Sequence, residues 1–258
     1  MSARVARISI APVKSLRVVH PREVMLTADG VAGDRRFWLI DENSRLYNGK
    51  RDGKLTQVCA EWDEASRRLA LEFPSGERVE GTVELGEAVT AKMFGRAVSS
   101  RRVHGPFEDA LSGFLGRRLR LLWSERPLVD RHTLGGCVSL LSRASLGQLR
   151  TEAGADAPVD GRRFRMLFEI DGVEAHAEDG WIGSRIRIGE ATVAVTGDVG
   201  RCVVTTRNPE TGVVDFKALH ALARYRRYGI KERLPFGVCG AVVTPGRVRV
   251  GDALEPVA

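Results

Sequence analysis

Among the four cysteines of this 258-residue sequence, Cys202 has the sequence context that most favours chemistry at its thiol. It follows Arg201 and opens a β-branched run. A neighbouring arginine favours the thiolate, which is both a nucleophile and a ligand for soft metals. A free cysteine is also a common small core residue, so both uses stay open on the residues alone. Cys59, Cys137 and Cys239 lie inside apolar stretches, where the core use is favoured further.

Two basic segments near the N-terminus could hold an anion. Lys14 and Ser15 follow the first predicted strand and offer a phosphate one point charge and one hydroxyl, although such a pair is often solvated. Arg35 and Arg36 precede another predicted strand. Because side chains alternate along a strand, we expect at most one of this pair to face a ligand, with Asp34 fixing the other.

Three further clusters of charged residues each have a structural alternative. Arg162–Arg165 places three cations at one strand start, where a solvated rim competes with an anion site. Glu178–Trp181 offers two carboxylates, but adjacent side chains do not converge, so we assign this segment to a turn anchored by its tryptophan. Arg224–Tyr228 alternates cations with aromatics, as nucleic-acid patches do, yet it is short and stands alone.

The elements that must position these residues begin with short strands separated by turns, a pattern typical of an antiparallel sheet or barrel. The predicted strands in the first hundred residues are Val5–Ile10, Phe37–Ile40, Leu69–Phe73 and Val79–Leu85. Apolar residues recur at helical spacing over Phe107–Leu115, which predicts an amphipathic helix there.

The second half of the chain mixes strands and helices. Its predicted strands are Val138–Leu141, Phe164–Ile170, Arg185–Ile188, Ala191–Val195 and Cys202–Thr206. Its predicted helices are Ser145–Arg150, capped by Ser142, and Phe216–Arg226. Val238–Val243 and Arg247–Val250 are predicted to pair with each other around Pro245-Gly246. The class is therefore β-rich α+β, with a domain boundary within residues 104–135.

Composition narrows the function classes. Hydrophobic residues make up 43% and charged residues 28%, which is a globular composition. The net charge of +7 is spread over both halves, which suits a small anionic ligand at least as well as a polyanion. No apolar run approaches a membrane span, no signal peptide is evident and the cysteines are far apart. We therefore expect a cytoplasmic protein with free thiols.

Taken together, these positions resemble one family in order and context. The chain is similar to MOSC-domain proteins that carry the MOSC N-terminal β-barrel region, the arrangement of the mitochondrial amidoxime reducing component and its bacterial relatives. The similar segments are PVKS at 12–15, GDRRFWLID at 33–41, SLLSRASLGQL at 139–149, RRFR at 162–165, AEDGW at 177–181, GRCVVTTRNPETGVV at 200–214, LARYRR at 222–227 and GRVRVGD at 246–252. The segment around Cys202 is the most specific of them.

This resemblance implies a fold and a cofactor. The expected architecture is an N-terminal β-barrel-like region over residues 1–125, followed by a MOSC β-barrel domain with a few helices over 126–258. The expected cofactor is molybdenum on a pterin dithiolene (Mo-molybdopterin), with Cys202 as metal ligand and catalytic centre. The positions that match cofactor-holding residues of the family are Lys14, Ser15, Arg36, Arg165, Thr205, Thr206 and Arg226. The chain departs from the family at Met166-Leu167, where relatives carry Pro-Asn, and at Asn208-Pro209, where they carry Asp-Pro.

The resemblance also implies an activity and partners. The expected protein is an oxidoreductase that removes oxygen from N-hydroxylated compounds or related N- and S-oxides. The chain ends at Ala258 without the cysteines of an iron–sulfur domain, so we expect a separate electron-donor protein of ferredoxin, flavin or haem type. The expected partners include no nucleic acid and no membrane. Two alternatives stay open: Cys202 as a persulfide carrier acting on the molybdenum cofactor or on thio-compounds, and a non-enzymatic nucleic-acid-binding module.

Overall fold

The computed structural model describes residues 3–128, 136–228 and 233–257 of this protein. The β-strands of these residues are β1 Arg4–Ile8, β2 Glu23–Thr27, β3 Gly30–Val31, β4 Phe37–Ile40, β5 Leu46–Tyr47, β6 Cys59–Asp63, β7 Arg68–Glu72, β8 Arg78–Thr82, β9 Glu84–Met93, β10 Arg96–His104, β11 Arg120–Trp123, β12 Val138–Ser142, β13 Phe168–Asp171, β14 Arg185–Ile188, β15 Ala191–Gly200, β16 Pro235–Thr244, β17 Gly246–Arg249 and β18 Leu254–Val257. The predicted β-rich α+β class is confirmed.

Helices are few and short in the described residues. The α-helices are α1 Phe107–Leu115, α2 Arg143–Ala153 and α3 Ala218–Tyr225, and the 3-10 helices are Gly53–Gln57, Gly161–Phe164, Ala177–Trp181 and Val203–Thr206. The bounds of α1 match its prediction, and its Phe107, Leu111 and Leu115 are buried. No helix in these ranges is long and apolar enough to span a membrane.

A seven-stranded sheet forms the larger part of the molecule. Its strand order is β1-β13-β12-β16-β15-β14-β18, and the β12–β13 pair is parallel. The two edges meet, because Arg4 bridges Ala253 and the Leu254 amide donates to the Ala3 carbonyl at 2.9 Å. We call this the barrel sheet. Its interior is an apolar core that includes Ile8, Phe168 and residues from both ends of the chain.

Strands from both ends of the sequence pair across the predicted domain boundary. β1 lies next to β13 in the barrel sheet, and β2 pairs with β17 through Leu26 and Gly246. The predicted pairing of 238–243 with 247–250 is therefore wrong, since β17 turns away from β16 to reach β2. The division into 1–125 and 126–258 stays a prediction.

Residues 37–123 form a second body that we call the N-terminal lobe. It holds the five-stranded sheet β5-β4-β11-β10-β9, the three-stranded sheet β6-β7-β8 and helix α1. Its core is separate from that of the barrel sheet and includes Phe37, Leu39 and Phe107. The alternation of Leu69–Phe73 predicts β7 to within a residue at each end, and the Val79–Leu85 pattern divides into β8 and the start of β9.

Helices α2 and α3 cover one side of the barrel sheet. The Ser142 hydroxyl accepts from the Ser145 amide at 3.0 Å, so the predicted N-cap of α2 is confirmed, although the helix runs further than predicted. Helix α3 is shorter at both ends than its prediction. Both helices pack against a third apolar cluster that contains Leu149, Leu222 and Phe236.

Candidate functional site

A cavity of about 590 Å³ lies where the N-terminal lobe meets the barrel sheet. Its volume is in the usual range for small-molecule and cofactor sites. Eight cationic residues line it, and no Asp or Glu does so within the described ranges. The eight cations are Lys14, Arg35, Lys50, Arg96, Arg163, Arg165, Arg201 and Arg207. A lining with this charge balance favours an anionic ligand.

Backbone pairing brings the two N-terminal basic segments to one wall of the cavity. The Lys14 amide donates to the Phe37 carbonyl at 2.7 Å, and the Arg35 amide donates to the Ala11 carbonyl at 2.8 Å. Lys14 is only 6% exposed, and its Nζ donates to the Leu128 carbonyl at 2.8 Å. Ser15 lies beside it in a left-handed backbone conformation, with φ of 75°. Lys14 and Ser15 both line the cavity, as their predicted roles require.

The arginine of the second segment that lines the cavity is Arg35, and contacts outside the lining hold it in place. The buried Asp34 carboxylate accepts from the Ala11 amide at 2.7 Å and also from the Arg35 guanidinium. Arg35 Nη2 donates in addition to the Arg165 carbonyl at 3.1 Å. Asp34 is not part of the cavity lining, so its charge holds the arginine without occupying the cavity.

Arg36 lies away from the cavity, contrary to its predicted role. Its Nε donates to the Ser124 carbonyl at 2.8 Å, its Nη1 contacts Glu64 Oε1 at 3.1 Å, and its guanidinium lies over Trp123, 4.8 Å from the ring centroid. Arg35 lies in a turn before β4, in a left-handed backbone conformation with φ of 48°, so strand alternation does not separate the two side chains. The expectation that one arginine of the pair faces the ligand still fits Arg35, whereas the family resemblance pointed to Arg36.

The segment Arg162–Arg165 is a 3-10 turn and not the start of a strand, because β13 begins only at Phe168. Arg165 ends the turn in a left-handed conformation, with φ of 52°, and lines the cavity. Arg163 also lines it and is held by two bonds to the Asp215 carboxylate, at 2.6 and 3.0 Å. These bonds lower the pKa of Asp215.

Cys202 lies at the cavity in extended backbone, directly before the 3-10 helix Val203–Thr206. The predicted strand over 202–206 is wrong, because hydroxyl groups close the backbone into a tight turn. Thr205 Oγ1 donates to the Cys202 carbonyl at 2.9 Å, and Thr206 Oγ1 donates to the Val203 carbonyl at 2.7 Å. Such side-chain bonds compete with sheet formation. The Cys202 side chain is only half-buried.

The two threonines have different places. Thr205 is buried, lines the cavity and fixes the carbonyl of Cys202. Thr206 does not belong to the described lining, so its predicted cofactor contact is not formed by this geometry. Its hydroxyl instead stabilises the turn that carries the thiol.

Two arginines beside Cys202 line the cavity and were missed as candidate site residues. Arg201 is pinned by donation to the Phe164 carbonyl at 3.1 Å and to the Phe236 carbonyl. Arg207 donates to the Gly212 carbonyl at 3.0 Å through Nη1, while its buried Nε has no acceptor among the described residues. In the sequence, Arg201 is notable only as the neighbour of Cys202, and no sequence signal indicates a role for Arg207.

The loop after Cys202 is fastened to the N-terminal lobe. Gly53 and Gly212 approach so closely that a Cβ on Gly53 would lie 2.1 Å from the Gly212 carbonyl oxygen. Gln57 Nε2 donates to the Thr211 carbonyl at 2.7 Å. A Cβ built on Gly49 would lie 3.8 Å from Val204 Cγ2, so the segment that carries Gly49 passes close to the turn that carries Cys202. The cavity is thus fixed by contacts that cross between the two bodies.

Arg226 also lies outside the cavity lining, contrary to its predicted role. Its Nε donates to the Pro235 carbonyl at 2.8 Å, and its Nη2 donates to Asp179 Oδ2 at 2.6 Å. His176 lies in the same cluster. Burial and the charge of Arg226 lower the pKa of His176 to about 4. Glu178, which accepts from the Ser142 amide at 3.0 Å, is fully buried.

Two further cysteines share the cavity with Cys202. Cys137 and Cys239 line it and are buried, and burial raises the pKa of the Cys137 thiol. Cys59 lies on β6 outside the described lining, half-buried like Cys202. Cys202 is thus the most accessible of the three described thiols in the cavity.

A second cavity of about 640 Å³ shares the 3-10 helix Gly161–Phe164 with the first. Its charged and titratable lining residues are Arg7, His20, Arg143, Arg150, Asp160, Arg162 and Glu169. Here two carboxylates belong to the lining itself. Glu169 is 4% exposed and pairs with Arg7, and Asp160 pairs with Arg162 at 2.6 Å.

The chain matches two family models that together span most of its length. Residues 2–118 match the MOSC N-terminal beta barrel domain, and residues 131–255 match the MOSC domain. The protein is therefore a member of the MOSC-domain family with the N-terminal barrel domain in front, and the resemblance drawn from its motifs is confirmed.

The chain is also similar to named proteins. Mitochondrial amidoxime-reducing component 1 of Mus musculus is 26% identical over 281 residues, which cover 96% of this chain and 80% of that protein. Molybdenum cofactor sulfurase of Oryza sativa subsp. japonica is 25% identical over 265 residues, which cover 90% of this chain but 31% of that protein. Among solved structures, the YUAD protein from Bacillus subtilis aligns with a TM-score of 0.49 and 12% identity, covering 98% of this chain and 94% of that one.

Proposed function

We propose that this protein is a molybdenum-cofactor-dependent oxidoreductase that reduces N-hydroxylated compounds or related N- and S-oxides. The observation that carries the proposal is the half-buried thiol of Cys202 in a cavity with eight cations and no described carboxylate. Relatives named for amidoxime reduction and for the molybdenum cofactor support it.

The residues present fit such a cofactor. A pterin with a terminal phosphate is a compact anion, which Lys14 and the lining arginines can neutralise with charge-assisted bonds. The buried Arg207 Nε, which lacks an acceptor among the described residues, is a donor available to that anion. The thiolate of Cys202 is the soft ligand that molybdenum in a sulfur environment prefers, by extension from other soft metal sites.

Each residue of the site has a defined task in this proposal. Lys14, Ser15, Arg35 and Arg165 hold the anionic end of the cofactor, and Cys202 supplies the metal ligand. The bound cofactor supplies the two-electron oxygen-atom chemistry. Thr205 keeps the backbone of Cys202 fixed through its carbonyl, so the thiol needs no reorganisation to bind. The ion pairs with Asp34 and Asp215 keep Arg35 and Arg163 in place from outside the lining.

The proposal includes a separate electron-donor protein of ferredoxin, flavin or haem type, and a small N-oxygenated substrate. A cytoplasmic location also stays a prediction. The nucleic-acid-binding alternative is not favoured on Arg162–Arg165, because Arg163 and Arg165 line the cavity and Arg162 pairs with Asp160, so this segment forms no open basic surface.

Replacement of Cys202 tests the proposal directly. We expect purified protein to contain molybdenum and pterin and to reduce benzamidoxime with a chemical electron donor. Cys202→Ala is expected to lower this rate by about 100-fold or more, because loss of groups one shell beyond a metal ligand already costs about 10–100-fold. Cys59→Ala is the matched control, because Cys59 is equally half-buried but lies outside the described lining. Metal-free protein, or a Cys202→Ala variant as active as the control, would contradict the proposal.

A second candidate, persulfide transfer, is favoured by the relative named molybdenum cofactor sulfurase. Cys202 would then carry a sulfane sulfur delivered by another protein. Intact-mass analysis of the isolated protein separates the two roles. A mass increase of about 32 Da, one added sulfur, that is removed by a thiol reductant and absent from Cys202→Ala supports the carrier role.

A further inference from the structure

The tip of the β9–β10 hairpin carries a phenylalanine at a position where the turn geometry disfavours this residue. Met93 pairs with Arg96, so the loop is the two-residue Phe94-Gly95, with φ of 48° and 82°. Positive φ at both loop positions defines a type I′ turn, in which asparagine is the preferred first residue. A phenylalanine there strains the backbone, because its Cβ crowds the following carbonyl in the left-handed region.

Burial does not explain this residue either. Phe94 is 46% exposed, whereas the other large apolar residues of the same cavity, such as Phe164 and Leu167, are buried. An exposed aromatic side chain on a strained backbone contributes little to the stability of the fold. Such a combination is more often found where the side chain contacts a ligand.

Phe94 lies at the candidate site rather than on a remote surface. It lines the same cavity as Cys202, and Lys50 Nζ lies 5.1 Å from the centroid of its ring. Lys50 follows Gly49, whose backbone passes close to Val204 in the turn that carries the thiol. The hairpin tip and the Cys202 turn are therefore connected through one short segment of the N-terminal lobe.

We propose that Phe94 is a specificity-determining residue that contacts the flat ring of aromatic N-hydroxylated substrates, such as aryl amidoximes. This inference rests on the proposed function and names the substrate class of the same site. Among the described lining residues, Phe94 is the exposed large apolar one in a cavity whose other exposed groups are cationic and polar. Contact between two aromatic rings adds modest affinity beyond the burial of apolar surface.

Two substrates with the same reacting group test the inference. Benzamidoxime carries an aromatic ring, and acetamidoxime replaces that ring by a methyl group. We expect Phe94→Asn to lower kcat/KM for benzamidoxime by about 3–10-fold, the measured range for aromatic pairs, and to leave acetamidoxime within about two-fold. Phe94→Tyr is expected to restore the benzamidoxime value. Met25→Gln is the control, because Met25 is 44% exposed on β2, outside the described lining.

Stability supplies an independent readout. Because asparagine suits the type I′ turn, Phe94→Asn is expected to raise Tm, by about 2–4 °C for relief of strain of this kind. A lower Tm would mean that the phenylalanine serves the fold, and that result would overturn the inference. Three results for kcat/KM of Phe94→Asn would also overturn the inference. They are an equal decrease with both substrates, no decrease with either substrate, and a change that is seen only with a protein electron donor.

Calorimetric binding separates this inference from the proposed function. If the wild-type protein reduces neither amidoxime, the proposed reaction is wrong, and the affinities of the two compounds still decide the ring contact. Tighter binding of benzamidoxime than acetamidoxime, with the difference lost in Phe94→Asn, supports it. The ring contact is contradicted if the wild type and Phe94→Asn bind benzamidoxime and acetamidoxime with equal affinities.

Discussion

Two arginine-rich cavities share the 3-10 helix Gly161–Phe164, but their charge is arranged in opposite ways. The first is lined by eight cations without a described carboxylate. The second is lined by four arginines together with Asp160 and Glu169. In the first cavity the acidic partners Asp34 and Asp215 hold their arginines from outside the lining, so the positive charge still faces the cavity.

This difference shows that the number of arginines does not define an anion site. Glu169 pairs with Arg7 and lies 3.7 Å from Arg143, so the second cavity already contains the anion that its cations need. The position of the carboxylate relative to the cavity decides whether an arginine cluster can bind a ligand.

The largest effect is expected from a pair of substitutions on one turn. Arg165→Gln removes a cation from the first cavity and is expected to weaken cofactor retention by about 10–100-fold, the value of one charge-assisted hydrogen bond. Arg162 lies three residues earlier and lines the second cavity, so Arg162→Gln is its matched control. Pterin and molybdenum content after identical purification measures the effect. Equal loss in the two variants would contradict the comparison.

A smaller effect is expected at the cluster around Arg226, where Asp179 again pairs with the arginine. Burial and Arg226 lower the pKa of His176 from 6.5 to about 4, so the folded protein keeps it neutral. Between these pH values the unfolded chain binds more protons, so the free energy of unfolding falls as pH falls. We expect the protonation of His176 in the unfolded chain to lower the free energy of unfolding by about 1–2 kcal/mol between pH 7 and pH 5.

His176→Asn is expected to flatten this acid branch in urea denaturation, since asparagine has no proton to gain. Asparagine also tolerates the left-handed backbone at this position, with φ of 64°. Glu178, whose pKa burial raises, contributes the opposite slope in both variants, so the difference between them reports His176. An unchanged slope would show that the acid sensitivity comes from elsewhere, and cofactor content is expected to stay at the wild-type level.

The smallest effect is expected from converting the second cavity toward the first. Glu169→Gln removes the buried carboxylate and leaves the cations Arg7 and Arg143 without it. Phosphate at about twice its dissociation constant is then expected to stabilise this variant by about 0.6 kcal/mol more than the wild type. The measurement is the Tm difference between phosphate and chloride at equal ionic strength within each variant. Equal phosphate protection in both proteins would mean that Glu169 does not close the site.

The sequence predicted most of the regular elements because their signals are local. Helix α1 follows from apolar spacing over Phe107–Leu115, and the start of α2 follows from the hydroxyl of Ser142. The segment 202–206 failed for a local reason as well, since its β-branched threonines form side-chain bonds to the backbone. The partner of β17 could not be predicted, because strand pairing depends on residues that are distant in sequence.

The candidate site divides in the same way. Cys202, Lys14, Ser15, Arg165 and Thr205 were chosen from motifs, and the structure gathers them in one cavity. Arg36, Thr206 and Arg226 match the same family motifs but lie outside the cavity lining. A motif match reports only the type of residue at a position. The direction of the backbone and the nearby hydrogen-bond acceptors decide where its side chain points.

The sequence by itself determined the family, the β-rich class and the thiol on which the proposed chemistry rests, since residue types and short spacings carry that information. Only the tertiary structure decided that Arg35 lines the cavity instead of Arg36. It also decided that Arg207 and Phe94 line the cavity, the latter from the N-terminal lobe. Those outcomes depend on which carboxylates and carbonyls bind each side chain after folding. Arg35 and Arg36 find such partners in distant parts of the chain, at the carbonyls of Arg165 and Ser124 respectively.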